Sequence, residues 1–444
     1  MGNYLLLAII GGLFGFYLFI GWRASKQVKG DEDYFLMGRR LTVFPLCFTL
    51  LATQLGGGTL LGAAQEAYTK GWMVLFYPLG ASLGLFALGL GFGGRLRRMQ
   101  ISTIPEIFEK VYQLPSMRLV ASLISMCSLY FILVGQGMAT KKFFVTIGKD
   151  SPAYFIFFWI VFVAYTVMGG LKAVVDTDVW QALFILVTLV VAVFSADLGS
   201  VEWRPSFDLD MLSASDIPWA SWLLMPFCFM LIEQDMGQRC FAAKSAKVVA
   251  PATMMAGLLL MLGSGTAIMF GVLAKEKGLA IEPDTTVLVA AIEAFTNPTV
   301  ATFFMAVILM AIVSTADSLL CSISSHLSCD LIRSNNIPPQ QKLIVSRIMT
   351  FVTGISALAL VYYFDSVVTM LMLSYELSVS VLFVPVLMAI ILSSPSRQGA
   401  MGAMIAGAIG FGLFRVWSLP LPREVLTLLL SLLGYAVGMM RNDP

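Results

Sequence analysis

Apolar runs of about 20 residues recur along almost the entire chain, divided by short stretches that carry most of the charge. Each run is long enough to cross a bilayer. In hydrocarbon no water reaches the backbone, so a run must satisfy its own N–H and C=O groups, as an α-helix does. Setting the runs against the charged breaks places about thirteen spans, at 3–22, 43–67, 72–94, 117–143, 153–169, 176–197, 218–237, 249–274, 300–328, 344–364, 367–393, 399–417 and 422–440. Charged residues make up 12% of the chain and its mean hydropathy is +0.86, against about 25% charged in a soluble domain. The fold class is therefore all-α integral membrane, a single domain lying in the lipid bilayer.

A net charge of +2, with the basic residues spread between spans, gives no footprint for a nucleic-acid partner. The six cysteines (Cys47, Cys127, Cys228, Cys240, Cys321 and Cys329) show neither a C-x-x-C pair nor a metal-ligand spacing, and read as free thiols. The opening apolar run has no basic segment before it and no small-residue cleavage site, so it reads as a retained first span. One set of loops collects Arg23, Lys26, Lys29, Arg39, Arg40, Arg95, Arg97 and Arg98, then Lys110, Arg118, Lys172, Arg239, Lys244, Lys247, Arg333, Lys342, Arg347, Arg397 and Arg441. The positive-inside rule puts that side in the cytoplasm, with the N-terminus outside and the C-terminus inside a cell membrane. The longest outer loops, 198–217 and 275–299, are too short for a soluble domain.

Ionisable groups inside spans are expensive and mark pathways or pairs. Here they are Glu66, Asp178, Glu233, Asp235, Asp317 and Glu376; Glu66 and Asp235 also read as span-end residues in contact with water. In "AIVSTADSLLCSISS" (311–325), Ala311, Ser314 and Thr315 have the i, i+3, i+4 spacing of one helix face, and Ser318 continues the stripe. A lone hydroxyl often bonds back to its own helix, but a stripe of them ending beside an acid points to a polar site.

The triplet Gly56–Gly57–Gly58 lies inside an apolar span. A helix broken there frees carbonyl oxygens for a hard cation, and broken helices mark binding sites in secondary transporters. Close packing against a neighbouring helix explains an isolated triplet equally well. A second candidate break lies in "IPWASWLLMPFCFMLIEQDMGQR" (217–239), where Pro226 removes a backbone donor and "EQD" follows half a span later. The two candidates are five spans apart.

Together "DEDYFLMGRRL" (31–41), "TIPEIFEKVY" (103–112), "GGLKAVVDTDVWQ" (169–181), "GQRCFAAKS" (237–245) and "STADSLL" (314–320) resemble, in order and spacing, the sodium:solute symporter family. The resemblance implies a leucine-transporter-like fold of two inverted five-helix repeats, 43–197 and 218–393, preceded by the span 3–22 and followed by two spans in 399–440. It implies a sodium ion held by the carbonyls of Ala52, Leu55 and Ala311 and the hydroxyls of Ser314 and Thr315. Five oxygens without nitrogen or sulfur suit a hard cation. Some members hold a further sodium, whose counterparts here are Asp178 and Ser318, with Asp317 standing where those members carry a hydroxyl.

The first broken span resembles most the choline-transporter branch, yet Gln54 and Glu233 stand where that branch carries tryptophans. The expected solute wall is Thr53, Gln54, Gly56, Gly58, Thr59, Gln136, Phe229, Glu233 and Tyr375, and the solute is an amino acid, an organic acid or an amine. The function implied is secondary-active, sodium-coupled import of a small polar solute by a monomer. The alternatives are proton coupling, or a transporter-like sensor. A membrane enzyme is disfavoured: the single histidine, His326, reads as a helix-end residue near the inner surface, and no H-E-x-x-H or G-x-S-x-G motif is present.

Overall fold

The structure is a computed structural model and describes residues 2–149, 151–196, 218–281, 285–332, 338–364, 367–417 and 421–440. Among them all regular structure is helical; the nearest approach to a sheet is one isolated bridge between Leu41 and Ala243. Ten helices are long and apolar enough to cross a membrane, and two shorter apolar helices, Val43–Gln54 and Trp219–Ile232, accompany them. The expected outer loop 198–217 lies outside the described residues, as do Arg333 and Arg441. The other expected loop, 275–299, carries a short helix, Val287–Phe295.

The helix Pro152–Ser195 has 44 residues. Straight, it would run about 66 Å, twice the hydrocarbon thickness. Gly170 divides it, with φ at +55° and ψ at −147°. A Cβ at Gly170 would meet the Tyr34 carbonyl oxygen at 2.5 Å, so both the backbone angle and the close approach require glycine. This break separates the two expected spans 153–169 and 176–197.

The helix bundle is inverted relative to a soluble protein. Large apolar side chains such as Phe194, Leu90, Val187 and Val416 face outward, while hydroxyls, amides and acids are buried. The Pro298–Leu331 segment is the central element, with 78% of its apolar window buried, whereas the first span is peripheral at 28%. Ser314, Ser318, Ser322, Ser324 and Ser325 are fully buried on the central helix. Each uses its hydroxyl hydrogen on a backbone or side-chain oxygen, which makes a polar spine tolerable there.

Within the candidate stretch 217–239 the helix runs unbroken through Pro226, from Trp219 to Ile232, and the chain leaves helical geometry at Glu233, with φ at −80° and ψ at 143°. His326 terminates a helix, Pro298–His326, and its side chain is fully buried. Glu376 is held by Arg415 and Arg423, both at 2.6 Å, and so belongs to an ion-pair cluster that ties the last two helices to the bundle. Glu66 pairs with Lys70 at 2.9 Å in a half-exposed position, as a span-end residue should. All six cysteines are free.

Candidate functional site

The first break begins where the helix Val43–Gln54 ends. Leu55 turns away with φ at −81° and ψ at 48°, and a widened π turn over Gly58–Gly62 leads into Ala63–Lys70. The freed backbone groups find partners. Thr59 Oγ1 donates to the Gln54 carbonyl at 2.6 Å, and the Gly57 N–H donates to Gln136 Oε1 at 3.0 Å. None of the three glycines has a positive φ. They are there for room: a Cβ would stand 2.2 Å from Thr315 Oγ1 at Gly56, 2.8 Å from Ala139 Cβ at Gly57, and 2.2 Å from Leu371 Cδ1 at Gly58. The two readings of the triplet hold together, since the helix breaks and the broken backbone packs against its neighbours.

The second break is a single extended residue. Glu233 separates Trp219–Ile232 from Gln234–Ala242, and its carboxylate accepts the Gln234 N–H at 3.2 Å, as an N-cap acid does. The Gln234 amide then accepts from the Ile104 N–H at 2.9 Å and donates to the Ser102 carbonyl and Ser325 Oγ.

Against the first break lies the hydroxyl stripe. Ser314 Oγ donates to the Ala52 carbonyl at 2.9 Å and lies 3.0 Å from that of Ala311. Thr315 Oγ1 donates to the Thr53 carbonyl at 2.8 Å and lies 3.3 Å from that of Ala311. Ala52, Ala311, Ser314 and Thr315 are thus brought together, with Leu55 buried at the turn. The donor set is neutral oxygen throughout. A divalent ion draws carboxylates, so a carboxylate-free group of carbonyls and hydroxyls fits sodium. Among the described residues no cluster of histidines, cysteines and acids could hold another metal.

One helical turn along, the acids are already engaged. Arg239, fully buried, donates from Nε to Thr49 Oγ1 at 2.8 Å, from Nη1 to the Asp235 carbonyl at 3.0 Å, and from Nη2 to Ser318 Oγ at 2.5 Å and Asp178 Oδ2 at 3.3 Å. Thr49 Oγ1 also donates to Asp178 Oδ2 at 2.5 Å. Asp317 receives the Tyr165 hydroxyl, and Tyr165 stacks on Tyr17 with centroids 5.3 Å apart. The structure therefore brings Asp178 and Ser318 around a guanidinium, and Asp317 to a tyrosine.

A small chamber of about 30 Å³ lies between the breaks. It is lined by Thr53, Gln54, Gly56, Gly58, Thr59, Gln136, Phe229 and Tyr375, eight of the expected wall residues, with Tyr77, Ile132, Asp235, Leu319 and Leu371 in addition. Glu233, the expected acid of the wall, does not line it; it turns to Ser125 Oγ, 3.2 Å away. Glu233 is extended rather than helical, so the helix that presents Asp235 to the chamber begins only after it. Tyr77 and Tyr375 join hydroxyls at 3.1 Å, and Phe229 packs on Tyr375 with centroids 4.3 Å apart. Tyr77, Gly58 and Leu371 also line a second cavity that holds Glu66 and Trp222. They form the partition between the two. The signal for Asp235 was its place as an acid within a span; no sequence signal pointed to Tyr77, Leu371 or Arg239.

The profile of the sodium:solute symporter family matches residues 34–203 and 206–407. The osmoregulated proline transporter of Bacillus subtilis (strain 168) is 27% identical over 421 residues, covering 88% of this chain and 85% of that protein. The high affinity choline transporter 1 of Homo sapiens is 24% identical over 445 residues, covering 91% of this chain and 74% of that one. A solved structure of a substrate-bound, outward-open Na+-coupled sialic acid symporter superposes with a TM-score of 0.77 at 20% identity, covering 99% of this chain and 98% of that one.

Proposed function

The chain belongs to the sodium:solute symporter family, and on that premise we propose that it imports a solute bearing a cationic nitrogen, an amino acid or an amine, with one sodium ion per cycle. The observation that carries the solute class is Asp235, the single charged residue lining the central chamber, set beside Tyr77, Phe229 and Tyr375. A carboxylate and aromatic faces attract a cation and repel an organic acid. The proline and choline transporters among the relatives point the same way. Gln54 and Gln136 supply amides for the rest of the polar solute.

Sodium is held at Ala52, Leu55, Ala311, Ser314 and Thr315. By replacing hydroxyl-to-carbonyl hydrogen bonds with ion contacts, it fixes the first break against the central helix and completes the wall that Thr53 and Gly56 share with the chamber. Solute and sodium then raise each other's affinity by the same factor. A second ion near Asp178, Ser318 and Asp317 is not needed, because Arg239 already supplies a fixed positive charge among them. Tyr77 and Leu371 are the outer gate. The topology proposed is thirteen crossings with the N-terminus outside a cell membrane, the repeats 43–197 and 218–393 facing each other across the chamber, in a working monomer.

The test is thermal stability of the purified protein in sodium, potassium or choline chloride at matched ionic strength, followed by a panel of amino acids, amines and organic acids. Ligands of the folded state raise stability by mass action. A sodium-specific rise that an amine or amino acid increases further supports the proposal. A rise increased by organic acids alone, or equal stability in sodium and potassium, overturns it.

A further inference from the structure

The chain has one histidine, and it is buried beside the second helix break rather than at a surface. His326 Nδ1 lies 2.8 Å from Asp330 Oδ2, and its Nε2 lies 3.0 Å from Ser125 Oγ. Ser125 Oγ in turn lies 3.2 Å from Glu233 Oε1. Two side chains from two other segments meet on one serine hydroxyl, which has a single hydrogen to give.

The hydrogen-bond directions are forced from the Asp330 end. Asp330 Oδ1 receives Arg118 Nε at 2.7 Å and the Thr103 hydroxyl at 2.8 Å, and Oδ2 receives the Ser122 hydroxyl at 3.1 Å. Every other partner of Asp330 is a donor, so Asp330 is a carboxylate and His326 Nδ1 carries a hydrogen toward it. Two arrangements of the remaining atoms match a donor to an acceptor at every contact along the Glu233–Ser125–His326 line. In one, Nε2 also carries a hydrogen and gives it to Ser125 Oγ, which gives its own to a Glu233 carboxylate. In the other, Nε2 is bare and receives the Ser125 hydrogen, while Ser125 Oγ receives the hydrogen of a Glu233 carboxylic acid. A neutral ring beside an ionised Glu233 leaves one acceptor facing lone pairs in a buried site, which is costly.

We propose that Glu233, Ser125 and His326 hold one transferable proton, a proton site immediately behind the solute chamber. The two arrangements interconvert when the Nε2–H bond breaks, the Ser125 O–H bond re-forms from the incoming proton, and the original Ser125 hydrogen passes to Glu233 Oε1; no atom or charge is left over. Glu233 Oε2 is buried and without a partner, so the carboxyl retains an open lone pair on the side away from Ser125. The charged groups facing this site are Asp235 from the lower half of the broken helix, Asp330 from the segment after the central helix, Arg118 from Pro115–Thr146, and Glu106 and Glu109, which pair with Arg118 at 3.4 Å and 2.7 Å. Because Glu233 is the hinge of the second broken helix, any movement there separates it from Ser125 and decides which partner keeps the proton.

The sole histidine makes the test unambiguous and independent of transport. The full-length protein, purified without a histidine tag and labelled with 15N-histidine, gives ring nitrogen shifts that separate the Nδ1–H, Nε2–H and doubly protonated forms. The expected wild-type result is Nδ1–H exchanging with the doubly protonated ring, with no Nε2–H form. Glu233→Gln removes a unit charge one hydroxyl's width away, and the ratio of doubly protonated to Nδ1–H ring is expected to fall by roughly tenfold or more at a given pH. Ser125→Ala, which deletes only the bridge, serves if that variant does not fold, and is expected to lower the same ratio. An Nε2–H ring in the wild type overturns the proposal, as does a ratio unchanged by whichever substitution is read.

Discussion

Ser314→Ala is the sharpest probe of the ion site, because its effect can be worked from the hydrogen bonds it removes. The variant deletes one of five oxygens from the sodium. A bond to a charged group contributes about 1.5–3 kcal/mol, and a neutral one about 1 kcal/mol. The ion-free protein also loses something, since Ser314 Oγ then no longer caps the Ala52 and Ala311 carbonyls. The difference between the two losses is about 0.5–2 kcal/mol, or a two- to thirtyfold weaker sodium affinity. Sodium at about 100 times the wild-type Kd stabilises the wild type by about 2.7 kcal/mol, and a thirtyfold weaker variant by about 0.9 kcal/mol. The assay is the thermal midpoint across a sodium series, with potassium holding ionic strength constant. Thr315→Ala is expected to behave alike, whereas Thr315→Ser retains the hydroxyl and most of the affinity. Wild-type sodium dependence in both alanine variants would refute the placement of the ion.

Asp235→Asn is expected to abolish stabilisation by cationic solutes while sodium alone still stabilises the protein; a variant that keeps the full solute response rules out Asp235 as the recognition acid. Arg239→Met strands Asp178 as an unpaired buried charge, at a cost of about 3–5 kcal/mol. Adding Asp178→Asn should recover part of the lost midpoint, and a double variant less stable than the single would count against the pairing. Gly57→Ala sets a Cβ 2.8 Å from Ala139 Cβ and is expected to lower stability by about 1–3 kcal/mol. Ala139→Gly in the same chain should restore the midpoint if that close approach is the cause.

Sequence alone carried the fold a long way, for a physical reason. Hydrocarbon tolerates only self-satisfied helices, so run length and the scarcity of charge settle the class, and the hydroxyls of Ser314 and Thr315 stand out because apolar neighbours surround them. The first break was legible because three adjacent glycines have no place in an ordinary span. The second was legible as the stretch 217–239, but of its two signals Pro226 is not the break, since a proline's missing N–H and displaced carbonyl are tolerated when neighbouring groups meet them, and Glu233, where the helix does break, is no residue of unusual backbone preference. Its extended angles are available to any residue, and the stabilising partner, Ser125, comes from 108 positions away. Arg239 was read as one more loop charge for the same reason. Nothing within its own segment reveals that Asp178, 61 residues earlier, and Ser318, 79 later, close around it.

The two breaks are stabilised in opposite ways, and this difference accounts for the division of labour between them. At the first, carbonyls of Ala52, Thr53 and Ala311 meet only neutral hydroxyls. Each such bond contributes about 1 kcal/mol and can be exchanged for an ion contact of greater strength. At the second, the chain is held by Glu233, by the Gln234 amide and by Arg239, whose bonds to the Asp235 carbonyl and Asp178 do not depend on any solute ion. A cation arriving at the chamber therefore finds one wall that gains from rearranging around it and one that is already tied. A difference in affinity between two conformations is what a ligand needs in order to shift an equilibrium. With sodium placed as proposed, the glycine-rich break would supply that difference, while the bonds of the buried arginine tie the opposing wall independently of the ion.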